Sequence, residues 1–250
     1  MSGRDVPLPA KWEKFIAHEG SKEDLARFLS QQLILQAPAN KVIVAAGGWS
    51  NPERVECSDP RVDVESVEGC HKEADTRTIL HCVRTMAISI VVSARDTDIL
   101  VMLTAYFHLM ACHKTWMKAG TAKKRKFIPV HAIVEHLQMN REVLEILPCF
   151  HALTGSDTTS YLAGHSKKAC WKIFKVHHNY LRGLGNIPVL TDQTIKDAEE
   201  FVCKIYGPAA ASSTNDVRVS MFVKGVTNDK LPPTSDALLY HIKRSHCAKQ

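Results

Sequence analysis

Two hundred and fifty residues, 45% hydrophobic and 23% charged, are enough for one large or two small globular domains with a real core. That balance excludes wholesale disorder, collagen-like repeats and low complexity. Lys and Arg outnumber Asp and Glu by 32 to 26, a formal +6 that permits nucleic-acid binding without requiring it. The longest uncharged apolar stretch, Ile99 to His113, spans fifteen residues and includes two histidines, too short and polar for a membrane span. The first residues show no apolar core behind their charges, so no secretory signal is read there. The expectation is a soluble, intracellular protein with no membrane partner. Eight cysteines lie spread along the chain with no C-x-x-C pair, which reads as reduced, mostly structural thiols.

In chain order, apolar residues at spacings of three and four predict helices between Lys11 and Gln36. Ser21 with Asp24 is the expected cap of the second helix, and Pro38 its stop. Lys41 to Ala46 is a β-branched run closed by Gly47 and Gly48, read as a buried strand, with Val62 and Val64 alternating as a second. His71 to Met86 reads as a helix with Ala74, Ile79, Leu80 and Val83 inward, and Glu73 and Arg77 paired one turn apart. Ile88 to Val92 has the composition of a central strand in a parallel sheet, and an apolar helix follows over Thr97–Leu109. Phe127 to Val130 is an edge-strand candidate because Pro129 cannot donate to a ladder. Helices are expected over about 130–138, 141–153, 158–164, 166–181, 191–206 and 235–245. This order predicts an α/β protein with a helical C-terminal extension, divided as an N-terminal helical segment (1–38), a core (39–182) and the extension (183–250).

The positions of the acids carry the functional information. Asp96 and Asp98 follow the apolar strand directly, where open parallel sheets bind ligands. Glu73 and Asp75 open the preceding helix; two residues apart on a helix is about 200°, so they converge only if Glu73 lies in the entering loop. Asp157 sits in a glycine-broken loop, Gly155-Ser156-Asp157. Taken singly, these acids read as helix-dipole charges, turn formers and a cap. Bunched carboxylates repel, and a hard divalent cation such as Mg²⁺ or Mn²⁺ is the usual compensation.

The ordered set of Glu73-Ala74-Asp75, Asp96-Thr97-Asp98 after a strand, and Gly155-Ser156-Asp157 resembles the flap-endonuclease (XPG-like) nucleases of the PIN-like fold, over residues 41–182. The resemblance implies a three-layer core around a central, mostly parallel sheet. It also implies Mg²⁺ (or Mn²⁺) held by Glu73, Asp75, Asp96, Asp98 and Asp157, with Asp96, Asp98 and Asp157 at the catalytic centre. A helix-turn-helix element follows that loop in the family. Here Gly164 matches a glycine of its turn, while Ser166, Lys167, Lys168 and Lys172 are the expected phosphate contacts. The implied partner is nucleic acid, duplex or branched DNA foremost.

Two departures qualify the match. The turn holds less glycine than the family's, and no acid before Lys41 stands where the family has two earlier aspartates. The expectation is therefore an amino-terminally short chain, with metal-dependent cleavage of phosphodiesters impaired. The alternative is an inactive nucleic-acid-binding or protein-interaction module that keeps the fold.

The basic residues from Lys167 to Arg182, interleaved with Trp171 and Phe174, read either as a solvated face over a core stripe or as a phosphate-contacting face. Lys123-Lys124-Arg125-Lys126 reads as a nuclear import signal, a second phosphate contact or a solvated loop. The histidines make no zinc spacing with the cysteines, no G-x-S-x-G elbow is present, and Gly47-Gly48 lacks the third glycine of a dinucleotide fingerprint.

Overall fold

A computed structural model describes residues 10–69, 74–207 and 211–247. The chain divides between Met86 and Ala87 into two compact units, so the boundary falls inside the stretch expected to form one core.

The first unit begins with α1 (Trp12–Ala17) and α2 (Glu19–Leu35). Between them His18 is extended, at φ −88° and ψ 124°, and this residue rather than Ser21 sets the start of α2. Ser21 lies inside the helix and no side chain caps it. The expected buried strand is only Val44–Ala45 (β1), paired antiparallel with Glu56–Cys57 (β2). Val42 and Val44 are exposed, so the run is not the interior strand its composition suggests. Val62 and Val64 lie in turns before a short 3₁₀ segment, Glu65–Val67, and belong to no strand.

Gly48 takes φ +77°, and a Cβ there would meet the Ala26 carbonyl oxygen at 2.6 Å, so only glycine lets α2 approach this closely. Helix α3 (Ala74–Arg84) buries Ile79 and Cys82, half-buries Leu80 and Val83, and leaves Ala74 exposed, contrary to expectation. Arg77 donates to the carbonyls of Pro52 (2.7 Å) and Gly69 (2.8 Å), pinning the loop before α3.

The second unit starts with β3 (Ser89–Ser93), which alternates: Ile90 and Val92 point inward and Val91 outward. It is followed by α4 (Thr97–Tyr106) and then β4 (Lys114–Gly120), parallel to β3 as a β-helix-β crossover requires. Strand β5 (Arg125–Pro129) returns antiparallel to β4. The order β3-β4-β5 makes this a mixed sheet of three strands, not a mostly parallel one. It leaves β3 at one end rather than in the centre. The expected edge strand at 127–130 is β5, which ends at Pro129 and passes straight into α5 (Val130–Leu137).

Helix α6 (Arg141–Leu153), capped by the Asn140 side chain, is the axis of the unit. Eight of its residues are buried, so it is surrounded rather than amphipathic at a surface. Around it lie α7 (Lys167–His177), α8 (Asp192–Tyr206) and α10 (Ser235–Cys247), while α9 (Thr214–Val223) packs on α8. The Phe150 ring lies 4.5 Å from Phe174 and 6.3 Å from Phe201, centroid to centroid. The helices after residue 183 are thus part of the core. No helix forms over 158–164: Ser156 and Thr159 pair as a tight bridge and Gly164 turns at φ +77°, which leaves no room for a helical repeat. No described helix is long and apolar enough to cross a membrane.

Candidate functional site

Strand β3 delivers the chain to the start of α4. There Asp96 is the N-cap, its Oδ1 accepting the backbone N–H of Asp98 at 2.9 Å. Asp98, in the first turn, sits where the helix dipole favours a negative charge. Its Oδ1 meets Nε2 of His151, in the last turn of α6, at 2.7 Å. The His151 side chain is only 13% exposed, and burial, then the charge of Lys167, hold its pKa below the usual value against the pull of Asp98 and Asp96. Facing a carboxylate oxygen at 2.7 Å, Nε2 carries a proton and donates it to Asp98.

Lys167, the first residue of α7, folds back over this pair. Its ammonium donates to the carbonyl of His151 at 2.9 Å and to that of Gly155. It thereby satisfies carbonyls at and just beyond the C-terminus of α6, where a cation also complements the dipole. Burial lowers the Lys167 pKa, and Asp98 opposes that shift. Gly155 stands at φ +108°, and a Cβ would come within 2.8 Å of Tyr161 Cα, so the turn into the Gly-Ser-Asp loop needs glycine. Thr159 then donates its hydroxyl to Ala152, closing the loop with Asp157 exposed in the turn. Beside the cluster, α4, α5, α6 and α7 enclose a cleft of about 380 Å³ walled by Leu100, Leu137, Leu147, Phe150 and Trp171, with Lys168 on its lining.

The expected site residues divide accordingly. Asp96 and Asp98 form one cluster with His151 and Lys167, and the loop carrying Asp157 is tied to the same place through Gly155. Asp75 lies on α3 in the first unit, and Glu73 lies outside the described residues. Gly164 makes a left-handed turn just before Ser166, whose hydroxyl caps α7 by accepting from Ala169 N–H at 3.3 Å. Lys168 and Lys172 are exposed one turn apart on α7, with Lys175 in the same row, whereas Cys170 and Phe174 face the core. Lys167 is not part of that row, because its ammonium is committed to carbonyls.

Two carboxylates are hard oxygen donors, and Mg²⁺ is commonly held by one or two carboxylates with water and phosphate completing its shell. Asp96 and Asp98 suit a single such ion in kind, although each already uses one oxygen in a hydrogen bond. Among the described residues no group of three or more His, Cys, Asp or Glu side chains is disposed to hold a metal. His151 was not assigned from sequence. Its only signal was a histidine one turn before Gly-Ser-Asp, and its partner lies 53 residues away. Comparison with family models, curated proteins and solved structures finds no match for this chain.

Proposed function

We propose that this chain is a metal-dependent nuclease-type domain of PIN-like architecture, directed at nucleic-acid phosphodiesters and impaired in cleavage. The observation that supports this reading is the meeting of Asp96-Thr97-Asp98 with the Gly155-Ser156-Asp157 loop through His151 and Lys167. Two motifs separated by more than fifty residues reach one end of the sheet, beyond the C-terminus of β3, and the side chains joining them are half-buried and hydrogen-bonded. A divalent ion there supplies acidity to a water and stabilisation to a leaving oxygen. The chain's own contribution is positional. Asp96 fixes the first turn of α4, Asp98 is oriented by His151, and Lys167 holds the acidic loop against the end of α6.

Impairment follows from the same contacts. Each acid has an oxygen committed within the protein, which leaves fewer oxygens free to hold an ion. A misplacement of about 1 Å at such a centre costs on the order of a hundredfold in rate. The test is titration of the purified chain with Mn²⁺, beside incubation with branched and single-stranded DNA in Mg²⁺ or Mn²⁺. Weak binding of one ion, lost in the Asp96→Ala, Asp98→Ala double variant, with little or no cutting, is the expected outcome. Equal ion binding by both proteins refutes the metal site, and robust cutting refutes the impairment.

The second reading, a binding module without chemistry, is favoured by the exposed row of Lys168, Lys172 and Lys175 on α7. Such a face gives duplex affinity that is independent of sequence and steeply salt-dependent. The basic run Lys123-Lys124-Arg125-Lys126 accords with a nuclear address.

A further inference from the structure

The two faces of the three-stranded sheet differ sharply. One is covered: Ile90, Val92, Thr115 and Met117 are all buried. The register fixes what stands on the other. Val91 lies opposite Trp116, Trp116 opposite Pro129, Lys118 opposite Phe127, and Gly120 opposite Arg125. Directly opposed side chains sit about 5 Å apart and diagonal ones about 7–8 Å, so Val91, Trp116, Lys118, Phe127 and Arg125 form one continuous patch. Val91 is 57% exposed and Phe127 52%, with Trp116 half-buried between them. Lys114 extends the same side of β4.

The charge carried by the strands of this sheet and the β4–β5 turn has a single sign. Lys114, Lys118, Lys123, Lys124, Arg125 and Lys126 all lie on β4, β5 or their turn, and no Asp or Glu occurs from Ile99 to Val134. Exposed Phe127 and half-buried Trp116, the latter with His131 edge-on at 5.0 Å, set among cations on a sheet that carries no acid, repel a cationic partner and leave an anionic one with π-faces as the complement. We infer that this face is a stacking platform for single-stranded nucleic acid, in which unstacked bases rest on Phe127 and Trp116 and phosphates meet Lys118 and Arg125. A single strand is specified rather than a duplex because paired bases hide the faces these rings would contact. The inference rests on the preceding reading for the class of partner, but it uses no residue of the acid cluster or of α7.

The experiment is fluorescence anisotropy of the full chain with labelled oligo-dT, oligo-U and duplex DNA, in EDTA and over a range of salt. Phe127→Ser is expected to weaken single-strand binding about five- to a hundredfold, the loss typical of one stacked base. The Lys118→Ala, Arg125→Ala double variant is expected to flatten the log–log salt slope by about 0.7 per lost phosphate contact. Lys196→Ala, at an exposed position of α8, is expected to leave oligo-dT affinity unchanged. Both sets of altered side chains reach solvent, and thermal melts followed by circular dichroism verify that each variant folds.

Absence of single-strand binding, or binding indifferent to both sheet variants, overturns the platform. Self-association that Phe127→Ser abolishes, without oligonucleotide binding, also overturns it and assigns the face to a second copy of the chain. Because EDTA is present throughout, failure here leaves the metal titration standing, and failure of that titration leaves this result standing.

Discussion

His151, His165 and His241 are histidines of the second unit whose pKa burial lowers. His151 is half-buried near Lys167 with Asp98 beside it, and His241 lies in α10 with its Nε2 bonded to the Leu153 carbonyl at 2.8 Å. Burial lowers both pKa values below the ordinary 6.5, and Arg244 adds to the shift at His241. A histidine with a lowered folded pKa binds its proton more weakly in the folded chain than in the unfolded one. The unfolded chain therefore takes up protons first as pH falls through about 6.5, and stability declines until the folded pKa is reached. Melting temperature should be level from pH 8 to 7 and fall between pH 6.5 and 5. His241→Gln, which keeps an amide donor near the Leu153 carbonyl but cannot titrate, should fall less steeply over that window. A melting temperature independent of pH from 8 to 5 in the parent chain would contradict this account.

At the scale of elements, the C-terminal helices are joined by one carboxylate oxygen. Glu199 Oε1 on α8 accepts from the Thr214 backbone N–H at 2.8 Å, the Thr214 hydroxyl at 3.0 Å and the Ser235 hydroxyl at 2.6 Å. It thus receives groups from the first residues of both α9 and α10, satisfying donors that helix starts otherwise leave open. Thr214 is fully buried, so removing the acceptor strands its donors without water. Glu199→Ala should cost about 2–4 kcal/mol, and Glu199→Gln, which keeps an oxygen in place, clearly less. Urea midpoints of the three proteins would measure this, and an alanine variant equal to the parent would refute the role.

Other elements show why some of this was legible in sequence and some was not. The Ile88–Val92 run and the apolar spacing of α6, α7 and α8 are local signals, and those elements stand where they were expected. Strand β4 buries only Thr115 and Met117 between lysines, and the rest of its support comes from β3 and β5, a non-local contribution. Helix α9 carries Val217, Val219 and Val223, residues with strand propensity that packing on α8 overrides. Asp96 and Asp98 were legible as a pair because a strand ends before them. The closure of that site by His151 and Lys167 was not, since no spacing links residues 53 apart.

The division at residue 86 makes the two units unequal in what holds them. Among the described residues of the first unit, the buried apolar side chains are Ala45, Val55, Val67, Ile79 and Cys82. Five side chains of this size bury little area, and a segment of about this length is marginal without further support. The second unit instead surrounds α6 with aromatic and aliphatic residues, among them Leu153, Phe174, Phe201, Leu238 and Ile242, each fully buried. Its sheet, cleft and acid cluster all use residues beyond Met86. A fragment of residues 87–250 should therefore fold without the rest, with a cooperative thermal transition and the helical circular dichroism of its seven helices among the described residues. Residues 1–86 alone should melt broadly or not at all, because their buried surface is too small to offset the entropy of ordering the chain. Circular dichroism melts of both fragments beside the whole chain make the comparison. A fragment 87–250 without a cooperative transition would show that its core depends on the first unit. A cooperative transition in residues 1–86 would show that five buried side chains are enough.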